Sequence, residues 1–423
     1  MTRFFSKGFS LLPRRRSSLL LLPVLLIFLG ALVGVIWVNY QFAQENPGGN
    51  DFLPRWSGAR LYLTNGWSPY SDQTTRAIQE RFYGRPARPD EDQALFVYPL
   101  YSLWVFAPYA LIGDFTLARA LWMTTLEVSL VLIAALSLKL TDWRLHGLAL
   151  VGLLLFAELW YHGVRPAING NATVLCALFS TAALLCIRDR RDATAGALLA
   201  LASIKPQIVA LLLPFVLVWA VSQRRWRLLG GTIGSLVVLG MSAMLLIPDW
   251  TLQNLRQVTA YPGYSGAGTP GVIFSEWWPE VGYPLGWLLT IVLATLLLRE
   301  WWAAWGKEAR WFLWTASLTL VLTQWIGIQT DPTNYTVLFL PLVLVCAFWE
   351  QGWGRRGRLI AFASMLVLFV GLWALFLGTV KYGAQAQQHP VMFFPLPLFL
   401  LVGLYSVRRW TIRSSGEDDR GTP

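Results

Sequence analysis

Apolar runs of about twenty residues recur along this chain from near one end to the other, and that recurrence leaves few folds open. Measured against a hydrocarbon core of about 30 Å, candidate spans fall at 17–40, 95–112, 117–138, 145–161, 173–187, 193–221, 228–247, 285–298, 311–328, 335–349, 359–380 and 391–407. Trp and Tyr repeat at their ends, as an aromatic belt at the membrane–water interface requires. Of 423 residues only 13% are charged and 55% are hydrophobic, and a soluble domain carries about 25% charge. Lipid must therefore cover much of the surface. No polar interruption exceeds 41–94, so residues 17–410 are expected to form one membrane domain. The fold class implied is all-α, a polytopic transmembrane helical bundle.

A net charge of +11 would point to nucleic acid in a soluble chain, but here the arginines stand in short clusters between apolar runs, where they orient a membrane protein. Nucleic acid is thus not an expected partner, and membrane lipid is. Arg14, Arg15 and Arg16 precede the first run, which has too long an apolar core for a secretory signal and no small-x-small cleavage site after it. Residues 1–16 are accordingly read as a basic cytoplasmic N-terminus and 411–423 as a polar cytoplasmic tail. Arg188/Arg190/Arg191, Arg224/Arg225/Arg227, Lys307/Arg310, Arg355/Arg356/Arg358 and Arg408/Arg409/Arg413 are all assigned to the cytoplasmic side.

For 193–221 to start and finish on one side it must go in and come back, and Lys205-Pro206 is the natural break. Upstream, four spans between the loop after Tyr40 and Arg188 would return to the wrong side. Either the segment holding Pro99 and Pro108 does not cross fully, or another proline- or glycine-interrupted segment is two pieces. The expectation is about 12 spans in the cell membrane with both termini inside. External stretches at 41–94, 248–284 and 329–334 then remain to build a site facing outward.

Cys176, Cys186 and Cys346 lie inside apolar segments, and His146, His162 and His389 have no shared helix-face spacing, so neither a disulfide framework nor a metal cage is expected. In the first external loop, Asp51 looks like a helix N-cap, Pro54 fits a first turn and Asn65-Gly66 makes a helix stop. Phe52, Trp56, Ala59 and Leu63 recur at helical spacing, which predicts an amphipathic helix lying on the membrane surface with Asp51 at the lipid–water boundary. Lys205 sits inside an apolar segment, where an ionisable side chain is a functional candidate by default. The alternatives are that Asp51 merely caps, that Lys205 snorkels to the interface, and that Arg165 is an orientation signal.

At Asp51 the chain resembles bacterial polyprenyl-phosphate-dependent mannosyltransferases, glycosyltransferase family 87, of GT-C architecture. In that family an Asp just beyond the first span is followed by an aromatic, small residues, a Gly and a Tyr, here Asp51, Trp56, Ala59, Gly66 and Tyr70. Phe96-Val97-Tyr98-Pro99 and Ile204-Lys205-Pro206 continue the likeness. Two departures are Gly170-Asn171, where the family more often has Gly-Gln, and Asp331-Pro332-Thr333-Asn334-Tyr335, where Asn334 stands in place of a usual His.

The resemblance implies an inverting hexosyltransferase, mannose being the sugar indicated. It would use a polyprenyl-phosphate-linked sugar donor and a lipid-linked or glycan acceptor outside the membrane, with Asp51 as general base and no cofactor. Charge growing on the leaving phosphate calls for cations, and Lys205, Arg165 and Arg60 are the candidates. Tyr70, Tyr98, Asn171, Asn334, Tyr335 and Trp277 are the candidate substrate contacts. Trp277 belongs to a Gly- and aromatic-rich loop, with Gly263, Tyr264 and Gly266, that is suited either to covering a sugar or to sitting at the interface. Asp90-Glu91-Asp92 matches an Asp-x-Asp metal pattern, but nucleotide sugars are not available on the external face, and a solvated acidic turn is the plainer reading. A transporter or flippase of lipid-linked glycans is the alternative class, and few intramembrane charges and no apparent internal repeat weigh against it; an inactive family member or non-catalytic scaffold is the third reading, to which the Asn334 departure points.

Overall fold

The computed structural model describes residues 15–89, 91–260, 268–328, 330–381 and 388–412, with the backbone alone at 15–22 and 24. Arg14, Asp90, Gly263, Tyr264, Gly266, Arg413 and nearly all of the 411–423 tail lie outside these residues. Among the described residues every regular element is helical, and the one extended pairing is an isolated bridge between Gly268 and Thr330. Six helices are long and apolar enough to cross a membrane, or seven if one bent pair counts as a span; three shorter apolar helices accompany them. Helix length thus supports fewer complete crossings than the 12 implied by hydropathy.

The first helix, α1 (Arg15–Glu45), leads into a loop carrying α2 (Leu53–Asn65) and α3 (Asp72–Tyr83). Their limits follow from local chemistry. Pro54 occupies the first turn of α2, and Gly66, left-handed at φ 71°, closes it. Ser71 accepts from Thr74 N to start α3. The first seven residues of α2 are all buried, so this helix is packed into the protein and does not lie open on a lipid surface.

Next comes α4 (Leu103–Ala110), eight residues after the short turn Leu100–Ser102. A helix of that length reaches about 12 Å and cannot cross a core of about 30 Å. Its C-terminal end folds back onto α2: Trp56 Nε1 donates to Tyr109 O at 3.0 Å and Arg60 Nη1 to Ala110 O at 2.9 Å. The 95–112 span expected from hydropathy is therefore replaced by a short helix that turns back, and the parity conflict disappears. From there α5 (Phe115–Thr141) starts beside α2 and runs the length of the bundle.

The bent pair α6 (Leu148–Leu159) and α7 (Tyr161–Asn169) returns, with a 45° bend, and α8 (Thr173–Arg188) descends again. A hairpin follows, made of α9 (Asp192–Ala202), α10 (Pro206–Val209) and α11 (Leu212–Ser222), and it turns at Lys205-Pro206 as the sequence predicts. The succession then continues through α12 (Trp226–Leu246), α13 (Trp250–Ala260), α14 (Pro270–Trp277), α15 (Gly282–Ala303) and α16 (Ala309–Ile326).

A further helix, α17 (Phe339–Thr379), breaks at Gly354 (φ 56°, ψ −131°) into two antiparallel legs. Phe339 at its start packs on Trp160, and Trp373 and Phe376 near its end pack on Tyr161. A Cβ on Gly357 would lie 1.9 Å from Trp349 O, so glycine is what allows the legs to close. The last helix is α18 (Pro395–Ile412).

The basic clusters meet at one end of this bundle. Arg188 Nη1 donates to Lys139 O at 2.6 Å and pairs with Asp142 at 3.3 Å. Arg225 pairs with Asp192 and donates to Ile187 O at 2.8 Å. Trp219 and Gln223 donate to Lys307 O, Arg408 pairs with Glu300 at 2.9 Å, and Arg358 pairs with Glu350, which also accepts from Trp143. The opposite end carries the polar residues of the first loop and the helix breaks around 170, 205 and 334.

Candidate active site

The site is organised by a close approach of the first loop to the turn between α7 and α8. Asp51 N and Phe52 N both donate to Asn169 O, at 2.9 and 3.2 Å. Phe52 stacks on Trp122 with 5.2 Å between centroids and 9° between planes, and Trp122 Nε1 donates to Gly170 O at 2.8 Å. Gly170 is left-handed at φ 72°, and a Cβ there would come within 2.5 Å of Phe52 Cβ and 3.1 Å of the Trp122 ring. Only glycine lets Asn171 stand next to Asp51.

Four polar side chains then close into a network. Asn171 Nδ2 donates to Asp51 Oδ2 at 3.2 Å and to Asn334 Oδ1 at 3.5 Å. Lys205 Nζ donates to Asn171 Oδ1 and to Asn334 Oδ1, each at 2.6 Å. Thr173 N adds a bond to Asn171 Oδ1 at 3.0 Å, and Asn334 Nδ2 donates to Thr330 Oγ1 at 2.9 Å. Each amide oxygen faces donors and each amide nitrogen faces acceptors, so the network fixes both amide orientations. Lys205, Asn171 and Asn334 are buried, while Asp51 is half-buried.

Asp51 is not the N-cap expected from local sequence. The N-cap of α2 is Phe52, with no side-chain cap hydrogen bond. The Asp51 carboxylate instead turns to Asn171 and stays partly open to solvent. Lys205 precedes Pro206 and lies outside the helical region (φ −128°, ψ 83°), which proline disfavours in the residue before it, and this break is what frees its side chain from a helix face. Asn334 is carried by the 3-10 turn Pro332–Leu338, which Asp331 starts by accepting from Thr333 N at 2.8 Å.

Two charged residues that sequence reasoning missed belong to this neighbourhood. Arg55 is 8% exposed and its guanidinium stands 4.4 Å from the Tyr98 ring centroid, while Lys205 Nζ stands 5.7 Å from the same centroid. Asp51, Arg55 and Asp331 are all within Coulombic reach of Lys205. Asp331 accepts from Gln388 Nε2 at 2.6 Å, and Gln388 Oε1 accepts from Tyr161 at 2.7 Å. The signal for Arg55 is its place one helical turn after Asp51; for Asp331 and Gln388 the partners are 57 residues apart, and no local pattern joins them.

The other candidates lie farther out. Arg165 hydrogen-bonds Tyr161 and stands 5.0 Å from the Phe376 ring centroid. Arg60 is bonded to Ala110 O on the far side of α2. Tyr70 OH donates to Tyr98 O at 2.6 Å, pinning the Tyr98 backbone, and Tyr335 OH donates to Phe393 O at 2.9 Å in full burial. Trp277, at the end of α14, packs with Phe274, Trp278 and, just before α18, Phe394, and stays 38% exposed. In the acidic turn, Arg85 and the Arg88 N–H hold Glu91 down to about 2, and Asp92 accepts from Ala94 N at 2.8 Å. These two acids already have partners. Among the described residues no group of His, Cys, Asp and Glu could hold a metal ion.

A partly open carboxylate joined through an amide to a buried ammonium is suited to taking a proton from one reactant while opposing negative charge on another. The model of glycosyltransferase family 87 matches residues 96–326, more than half of the 423. Tyr98, Arg165, Asn171 and Lys205 fall within the match; Asp51 and Asn334 fall outside it. No curated protein and no solved structure matches the chain.

Proposed function

The chain belongs to glycosyltransferase family 87, and from that premise we propose that it transfers a hexose, mannose by the family resemblance, from a polyprenyl phosphate to a lipid-linked or glycan acceptor. The reaction takes place on the external face of the cell membrane, with inversion at the sugar carbon. The observation that carries this reading is the Asp51 carboxylate, uncommitted to capping, sharing Asn171 with the Lys205 ammonium.

In the proposed step Asp51 accepts the proton of an acceptor hydroxyl, whose oxygen forms a bond to C1 of the donor sugar. The bond from C1 to the phosphate oxygen breaks, and polyprenyl phosphate leaves with the electron pair. A phosphate leaving group needs little acid assistance but gains charge as it departs, which Lys205 and Arg55 oppose from a site with little water. Asn171 keeps base and cation apart and in register: a direct ion pair would spend both charges on each other. Tyr98, with both cations over its ring, holds Arg55 and Lys205 side by side.

The test is transfer of labelled sugar from polyprenyl-phosphate mannose to membrane lipid and glycan acceptors by purified protein, with Asp51→Asn alongside. The variant should lose roughly 10²- to 10⁴-fold in turnover while keeping its melting temperature and donor binding. Undiminished transfer by the variant would remove Asp51 from the role of base.

A further inference from the structure

A second polar site lies on the opposite face of α2 from the network. Trp56, Ser57, Arg60, Leu61, Thr64, Ala77, Glu80 and Arg81 line a cavity of about 430 Å³ between α2 and α3. Two guanidiniums share one indole there: the Arg60 and Arg81 carbons stand 5.7 and 4.6 Å from the Trp56 ring centroid. Trp56 is fixed by its bond to Tyr109 O, so it forms a rigid wall.

Among the described residues neither arginine has an ion pair. Arg60 commits one N–H to Ala110 O, and Arg81 makes ring contacts alone, with Trp56 and Phe115. Arg81 is exposed at the mouth of the cavity and Arg60 is half-buried. Ser57 is 5% exposed, and its Oγ has no partner among the described residues. Two cations held against one ring and a buried hydroxyl without a partner make an incomplete set of donors, and a multi-oxygen anion would complete it.

We propose that this cavity is a second anion site, which takes a phosphate group through Arg60, Arg81 and Ser57. Glu80 stands exposed at the rim. The ligand chemistry is phosphate, carried either by a membrane lipid or by a soluble phosphate compound. The site does not use Asp51 or Lys205, so its occupancy is separable from transfer.

The experiment uses the full chain in phosphatidylcholine nanodiscs. One arm incorporates phosphatidylglycerol and reads the lipid retained on the protein by native mass spectrometry, and the other titrates inorganic pyrophosphate by calorimetry. Arg81→Gln and Arg60→Gln are compared with wild type and with Arg76→Gln, which removes an equal charge from an exposed position on α3. Each cavity variant should weaken binding roughly tenfold, the worth of one charge-assisted contact, and Arg76→Gln should not. Loss in the lipid arm identifies a headgroup as the source, and loss in the pyrophosphate arm identifies a soluble phosphate. Binding that is equal in all four proteins, or absent from the wild type in both arms, would overturn the proposal. A melting curve accompanies each variant; because Arg81 makes no hydrogen bond among the described residues, its replacement tests charge with the least disturbance of packing.

Discussion

The basic end of the bundle and the Lys205 network satisfy their charges in different ways. At the basic end, cations meet carboxylates or backbone carbonyls directly: Arg225 with Asp192, Arg408 with Glu300, Arg188 with Lys139 O and Asp142. At the opposite end Lys205 is held by two neutral amides while Asp51 waits on the other side of one of them. Direct pairing cancels charge and ties helices together. An intervening amide satisfies hydrogen bonding but leaves both charges in force, which a structural contact has no need of and a reacting site does.

That contrast can be broken experimentally. Lys205→Gln keeps donors at the network but removes its charge, and should cut transfer roughly 10²- to 10³-fold with little loss of thermal stability, as read by single-turnover assay and melting curve. Arg225→Ala should do the reverse. It leaves Asp192 and Ile187 O without their partner in a pair whose side chains are 6% and 15% exposed, so stability should fall by about 3 kcal/mol while turnover per folded molecule holds. If Arg225→Ala slows the folded enzyme as much as Lys205→Gln does, the division between the ends fails. The smallest effect expected is at Gly66, where alanine must adopt φ 71°. Gly66→Ala should cost about 1 kcal/mol, visible as earlier unfolding without a change in rate.

What the sequence made legible was whatever depends on neighbours in the chain. Asn65-Gly66 stops a helix, Lys205-Pro206 breaks one, and the basic clusters gather at one end, because backbone preference and charge placement act locally. The fate of 95–112 was legible only as one of two alternatives: charge parity and its prolines allowed that it does not cross fully, but the capture of Tyr109 and Ala110 by Trp56 and Arg60, about fifty residues earlier, is a long-range contact that no local pattern shows. Asp51 shows the same limit. Its position before Pro54 has the form of a cap, and only the approach of Gly170 turns the carboxylate elsewhere. Asn171, Lys205 and Asn334 could be singled out one at a time, yet their bonds span 34 and 129 residues, and no periodicity carries that information.

The hairpin that turns at Lys205 acts as a measuring rod. Its first leg, α9, has 11 residues and is about 16 Å long, while α8, with 16 residues, brings Asn171 about 24 Å from the same end. The residues between Ala202 and Lys205 and the Lys205 side chain bridge the difference of about 8 Å, so the depth of the charge is set largely by helix length and not by a local motif. Removing a single turn from α9 would sink the ammonium by about 5 Å, beyond the reach of either amide, with every residue of the network still present in the chain.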